Sequence, residues 1–436
     1  MKAEKSIYNI TYQACYIGHV VTAILINITP VLFYFLMDLY KLSLSDLGML
    51  SLINFIVQVV IAISFSKFVD KIGFRPLIVF AMFIAVFGLI FYSLTPFIFG
   101  NNILLGLILA TMFFSVAGGF FQIILSPVVN AIPSENKEAA MTKLHSFYAW
   151  GQIFTVLFST LMLFIITSFI GDSYWFIIPL IFCAAPILGG LLFIYVPLIR
   201  PVTEKEQTSI KKVAFTKFFI FALIFILFCG AVEMTISQWA STYLEIIGTD
   251  KLVGDILGVC MFSFMLGFGR ILYSKFSKKL NLSALMLIGC AAASVCYLII
   301  ALSPVAALSI IAFGISGLAV SLLWPGILNL TSEKFKKAGS WTLAILAAIG
   351  NIGCALGPFI LGQVGEFLPN LNFVKNLADS LSMESSELGL RMAVLICTIF
   401  PLISFLSLLY IHRKRQKNKK EIQEQSPEIE GSITEV

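Results

Sequence analysis

Charge is scarce in this chain. Only 12% of its 436 residues are Asp, Glu, Lys or Arg, against roughly a quarter in an average soluble domain, which excludes an ordinary water-facing globular surface. Histidine occurs three times, and no spacing of a zinc protease, a phosphate-binding loop or a serine hydrolase is present. The connections between apolar runs are too short to fold a soluble active site. No enzyme, cofactor or metal site is therefore expected, and no nucleic-acid interface. The eight cysteines (Cys15, Cys183, Cys229, Cys260, Cys290, Cys296, Cys354 and Cys397) fall inside apolar runs with no C-x-x-C pair, so they read as buried free thiols. Ten-residue alternating segments are also missing, which excludes a membrane barrel. The first apolar run, near 12–35, is too long for the core of a leader and lacks a small-residue cleavage pattern, so it is expected to stay as a span.

What fills the chain is apolar sequence. Hydrophobic residues make up 59% of it, with 41 Phe, and the mean hydropathy is +0.97. Runs of about twenty residues each suffice to cross a hydrocarbon core of about 30 Å, and only helices or closed barrels satisfy the backbone there. The runs predict an all-α membrane protein of about twelve spans, near 12–35, 46–66, 76–97, 103–128, 141–169 and 174–199, then 215–246, 252–275, 282–302, 305–329, 339–366 and 390–411. Of the 29 basic residues, only Lys41, Lys251, Lys375 and Arg391 fall in the odd-numbered loops. The positive-inside rule then puts both termini in the cytoplasm. The reading divides the chain into a cytoplasmic N-terminus (1–11), a six-helix half (12–199), a basic linker (200–214), a second six-helix half (215–411) and a tail (412–436) too polar to pack, expected to be disordered. A multi-pass protein of a cytoplasmic membrane, monomeric and in contact with lipid, is the expectation.

After the second span stands Ser66-Lys67-Phe68-Val69-Asp70-Lys71-Ile72-Gly73-Phe74-Arg75-Pro76. It resembles the loop 2–3 signature G-x-x-x-D-[RK]-x-G-x-R of the major facilitator superfamily, with Ser66 at the leading Gly. Gly267-Phe268-Gly269-Arg270, followed by Lys275, Lys278 and Lys279, is similar to its counterpart six spans later. The resemblance implies two related halves and gives Asp70, Arg75 and Arg270 a gating role, the loop Asp and Arg forming a cytoplasmic latch. Within the superfamily the chain is most similar to the fucose and hexose symporter branch, in the segments around Gln122-Ile-Ile-Leu-Ser126-Pro127, Leu144–Gly151, Val232–Leu244, Trp324-Pro325-Gly326 and Gly350–Pro358. That branch carries E-x-x-x-N-P in the fourth span. Gln122 and Ser126 hold those positions here, so the resemblance does not imply a proton carrier in the first half.

A charge at the bilayer centre costs about 2.5–3.5 kcal/mol on insertion scales, so an acid there needs a partner, water or a task. Glu233 reads as the one acid deep in any span, about 24 Å along the helix from Lys217 and about 18 Å from Glu245. It is the candidate carrier of a proton or cation, or a direct ligand for a hydroxylated or cationic solute, with a structural hydrogen-bonded acid as the alternative. Polar side chains at helical spacing mark the faces expected to line a cavity between the halves: Asn27 in span 1, Gln122 in span 4, Tyr148 and Gln152 in span 5, Gln238 and Trp239 in span 7, Trp324 in span 10 and Asn351 in span 11. Each can equally be glue between helices. His19 and His145 read as packing or interfacial residues. Amides, hydroxyls and aromatic faces suit a neutral polyhydroxy solute or a nucleoside, so the function expected is solute symport, with protons as candidate co-substrate. An efflux transporter or a membrane nutrient sensor are the alternatives.

Overall fold

In hydrocarbon each backbone N–H and C=O must find its partner within the protein, and the computed structural model of the chain answers that demand with helices alone among the described residues. The structure describes residues 2–65, 68–133, 137–199, 213–276, 280–335 and 341–433. Eleven stretches of these are long and apolar enough to cross a membrane. One of them, Phe74–Val129, has 56 residues and holds two helices joined by the 3-10 turn Gly100–Asn102, which makes twelve spans.

The first half comprises α1 (Lys2–Val31), α2 (Leu44–Phe65), α3 (Phe74–Phe99), α4 (Ile103–Ala131), α5 (Lys137–Ile165) and α6 (Asp172–Tyr195). The second comprises α7 (Lys217–Ile246), α8 (Lys251–Phe276), α9 (Leu282–Leu302), α10 (Ala306–Lys334), α11 (Trp341–Phe367) and α12, which begins at Ser385. The predicted first span is broken: Pro30, which lacks an N–H to continue the ladder, ends α1 at Val31, and a short helix Phe33–Tyr40 follows. The narrow break expected at Ser303-Pro304 is present, between α9 and α10. The linker residues 200–212 lie outside the described residues. The tail departs from expectation. Helix continues from Ile399 to Ile433, because Lys, Arg, Gln and Glu are good helix formers and need only extend a helix already nucleated in the membrane. Arg415 reaches Glu333 at the end of α10 at 2.9 Å.

The halves meet along three seams: α2 with α11, α5 with α8, and α1 with α7. Within the second half α7 and α11 lie closest. A Cβ on Gly353 would collide with the Leu227 carbonyl, and one on Gly230 with that of Gly350, so these glycines set how near the two helices come. The seam carries α7, whose residues from Cys229 to Glu245 are all buried, through the middle of the molecule. All eight cysteines are buried and free.

Candidate functional site

Polar side chains that enter a membrane bundle are driven to its interior, where they must answer one another. Two amide chains do so across the seam between the halves. Gln152 on α5 donates from Nε2 to Asn27 Oδ1 on α1 at 2.9 Å and reaches Ser237 Oγ on α7 at 2.5 Å. Asn27 Nδ2 donates to the Ala23 carbonyl at 2.8 Å and lies 3.5 Å from the Tyr148 hydroxyl. On the other flank, Gln122 Nε2 donates to Gln58 Oε1 at 2.8 Å and Gln58 Nε2 to Asn54 Oδ1 at 2.7 Å, while Asn351 on α11 donates to Gln122 Oε1. Asn54 and Gln58, fully buried on α2, belong to this chain although sequence spacing did not mark them.

Beside the first chain Gln238 is 1% exposed, and neither its Nε2 nor its Oε1 has a hydrogen-bond partner in the protein. It lines a gap between the halves with Asn27, Pro30, Val31, Val156, Ser237 and Val259. One wall of that gap is amide and hydroxyl, the other is aliphatic. The gap has about the room that one water needs. Ile26, Phe55, Met234, Cys354 and Ala355, with Tyr148 and Trp324 partly buried against them, form an apolar cluster contributed by both halves. Trp239 sits elsewhere: its Nε1 donates to the Pro358 carbonyl at 3.1 Å and its ring lies 5.5 Å from that of Phe33, so it ties α7 to α11.

Two charge clusters lie on α7. Glu233, 5% exposed, faces Arg270 on α8, also 5% exposed, at 3.6 Å. Arg270 further donates from Nε to the Ser321 carbonyl at 3.1 Å and from Nη1 to that of His145, on the other half, at 3.3 Å. The second Glu233 oxygen has no hydrogen-bond partner in the protein, and neither ring nitrogen of His19, whose ring stands edge-on to His145 at 5.2 Å, has one. Glu233 is not the one buried acid, as expected from sequence. Asp255, 0% exposed, sits in the π-helical stretch Gly254–Cys260 at the start of α8. Gly254 and Gly258 bring that stretch against Ser241 and Leu244 of α7. Asp255 Oδ2 accepts from Thr160 Oγ1 of α5 at 2.6 Å and lies 3.2 Å from Lys251 Nζ; Ser241 Oγ contacts Asp255 Oδ1 and lies 3.0 Å from Glu245 Oε1. Lys251 also lies 3.3 Å from Glu245 Oε1 and donates to the Val31 carbonyl of α1 at 3.3 Å.

This end of the bundle is pinned at further points between the halves. Glu366 Oε2 accepts from the Leu44 backbone N–H at 3.1 Å, and Gln363 Nε2 reaches Ser45 Oγ. At the opposite, Lys- and Arg-rich end, the Arg270 bond to His145 joins the halves. Arg75 there donates to the Val196 carbonyl at 2.7 Å, within its own half. Ser66, Lys67 and the Asp70 side chain lie outside the described residues.

Twelve spans among the described residues, in two halves around a polar seam, are the architecture of a membrane transporter rather than an enzyme. The Major Facilitator Superfamily profile matches residues 15–358, and the chain belongs to that superfamily. No curated protein matches it by sequence. Among solved structures, a bacterial homolog of the human lysosomal transporter Spinster, inward-facing and occupied, is similar at TM-score 0.75 and 15% identity, over 93% of this chain and 97% of that one. The D-xylose-proton symporter is similar at 0.70 and 13%, over 90% and 97%. The E. coli fucose:proton symporter is similar at 0.59 and 15%, over 91% and 99%. At these identities the likeness is one of fold.

Proposed function

We propose that the chain carries a small uncharged polar solute, sugar-like in its hydroxyl pattern, across a cytoplasmic membrane by alternating access. The solute binds between the halves, once they part around the present water-sized gap, against Asn27, Gln152, Ser237 and Gln238. One observation carries this reading: the Gln238 amide is buried at the seam with both its donor and its acceptor unanswered by protein. Such a group costs about 1–3 kcal/mol unless something bonds to it, and a hydroxylated solute offers a donor and an acceptor at once. The aliphatic wall of Pro30, Val31, Val156 and Val259 suits the carbon face of the same solute. The transport of fucose and xylose by two proteins of similar fold supports the class, and the segments around Gln122 and Glu233 support the narrower fucose and hexose branch.

With the basic loops in the cytoplasm, the end pinned by Asp255 and Glu366 faces outside, and the structure is closed to that side. Glu233 is the candidate coupling residue, since a proton there would cancel its charge and leave Arg270 to the two carbonyls. The protein acts as a monomer, with lipid around it. The test is a thermal-shift screen of the purified protein against sugars, nucleosides and amino acids. A solute present at 100 times its Kd stabilises by about 2.7 kcal/mol. A polyhydroxy solute should raise the midpoint, Gln238→Leu should abolish that rise, and proteoliposomes should then accumulate the solute on an imposed proton gradient. Silence from all sugars and nucleosides, or undiminished binding by the Leu variant, overturns the proposal.

A further inference from the structure

We infer that Ser241, Glu245, Lys251 and Asp255 form a proton-binding site, holding one proton shared between the two carboxyl groups while this end of the bundle is closed. The site concerns the coupling ion of the transport proposed above and rests on that reading for its use, though the proton count stands on the cluster alone.

Two independent inventories lead to it. The first is charge. Glu245 and Asp255, with side chains 4% and 0% exposed, face one cation, Lys251, at 3.3 and 3.2 Å. The surrounding elements supply no second one among the described residues: α5 brings the Thr160 hydroxyl, α1 the Val31 carbonyl, and α8 the thiol of Cys260 a turn further on. The α10 segment Ala306–Val320 has no titratable side chain, and Asp250 caps the Leu252 N–H at the exposed rim. With both acids ionised the cluster would hold one uncompensated negative charge where Asp255 has no access to water, and a group so placed neutralises instead. The pair Glu233–Arg270 has no such excess.

The second inventory is hydrogen. Ser241 Oγ lies within bonding distance of an oxygen of each carboxyl group, Glu245 Oε1 and Asp255 Oδ1. A hydroxyl has one hydrogen to donate, so one of the two contacts is left as oxygen against oxygen unless the carboxyl group supplies the hydrogen. A proton on Asp255 Oδ1 donating to Ser241, whose own hydroxyl donates to Glu245, satisfies both. Thr160 and Lys251 then serve the remaining Asp255 oxygen, and Lys251 also serves Glu245 and Val31. Each contact in the cluster thereby has a donor and an acceptor.

The position gives the proton a use. Thr160 and Val31 belong to the first half, while the other members belong to the second. Separating the halves at this end removes both first-half contacts and admits water, into which the shared proton can pass and from which it can be regained; only an O–H bond breaks and reforms. Lys251, 26% exposed, marks the route.

The test is infrared spectroscopy of the full chain in lipid nanodiscs at neutral pH, read at the carbonyl stretch of protonated carboxyl groups. The wild type should show the band. Asp255→Asn and Glu245→Gln, each leaving one carboxylate balanced by Lys251, should lose it, and Glu233→Gln should keep it. Lys251→Gln, leaving two acids and no cation, should raise it about twofold. Absence of the band in the wild type overturns the inference, as does its survival in both Asp255→Asn and Glu245→Gln, or its loss in Glu233→Gln. Two isosteric variants guard against one failing to fold. Failure of solute uptake in proteoliposomes with the band pattern intact would sink the transport reading and leave this site standing.

Discussion

Glu233 and Glu245 lie twelve residues apart on α7, about 18 Å along its axis, and each is buried with a cation from α8. At Glu233 one acid meets one base, and the guanidinium spends its other donors on two backbone carbonyls, one from each half. At Glu245 two acids share one amine, and the contacts to the first half come from a hydroxyl and a carbonyl. The first arrangement is balanced as it stands. The second is balanced only with an added proton, and it holds the first half by two bonds, from Thr160 and to Val31, where the first arrangement has one, to the His145 carbonyl. Both clusters also bear on the seam around Gln238: Ser237 and Gln238 lie between them on α7, and Val31 is shared by the gap and by Lys251.

The largest effect that would break this comparison is expected at the balanced pair. Arg270→Ala leaves Glu233 buried without its partner, a change that costs about 3–5 kcal/mol when one member of a buried pair is removed. Glu233→Gln leaves Arg270 its two carbonyls, so a smaller loss of about 1–3 kcal/mol is expected, the cost of a buried polar group that loses a partner. Thermal or denaturant unfolding in detergent reads both, and equal losses from the two would show that the pair is not what holds these helices. Next in size is Lys251→Gln. It removes the one cation that both buried acids face, so a loss of about 3 kcal/mol is expected, as when one member of a buried ion pair is taken away. Its unfolding midpoint should fall below those of Glu245→Gln and Asp255→Asn, each of which leaves Lys251 one acid; equal midpoints would mean that the cation is not what holds the two acids together.

How far the sequence carried this picture depends on what each feature needs. Twelve spans were legible because a run of about twenty apolar residues has few alternatives in a membrane protein, and the superfamily signature after span 2 pointed to the fold. Gln122, Gln152 and Asn351 were legible as seam residues because polar groups in a span turn inward. Gln58, the partner of Gln122, and Asn54 beyond it were missed, although Asn54, Gln58 and Ser51 stand at helical spacing in span 2 and could have been marked by the same rule. Asp255 was missed for a different reason. It lies at the edge of its predicted span, where acids are normally solvated, and what buries it is the approach of Gly254 and Gly258 to α7 and the arrival of Thr160 from the other half. Its one local signal is the i,i+4 pairing with Lys251. Trp239 shows the converse, a residue typed for stacking on a solute that instead bonds to Pro358, because the tight α7–α11 seam is set by glycines whose partners no single helix reveals.

That seam supports a smaller test, since both clusters hang on α7. Gly353→Ala places a Cβ against the Leu227 carbonyl, and overpacking of this kind costs about 1–3 kcal/mol. The loss should appear as a lower unfolding midpoint with Gln238-dependent solute binding also weakened, because Ser237 and Gln238 move with the helix. The smallest stability change, about 1 kcal/mol for one hydrogen bond, belongs to Thr160→Val, yet it sharpens the comparison most. Thr160 joins Asp255 to the first half, so its loss weakens the pinned end without touching the Glu233 pair. Spin labels at Lys41→Cys and Asp379→Cys, both exposed at that end while the native cysteines are buried, should then show a longer distance gaining population. Glu233→Gln should leave that distribution unchanged. An identical shift in the two variants would mean that the clusters act as one unit through α7, and that the division between a pair balanced as it stands and a proton-dependent clasp is wrong.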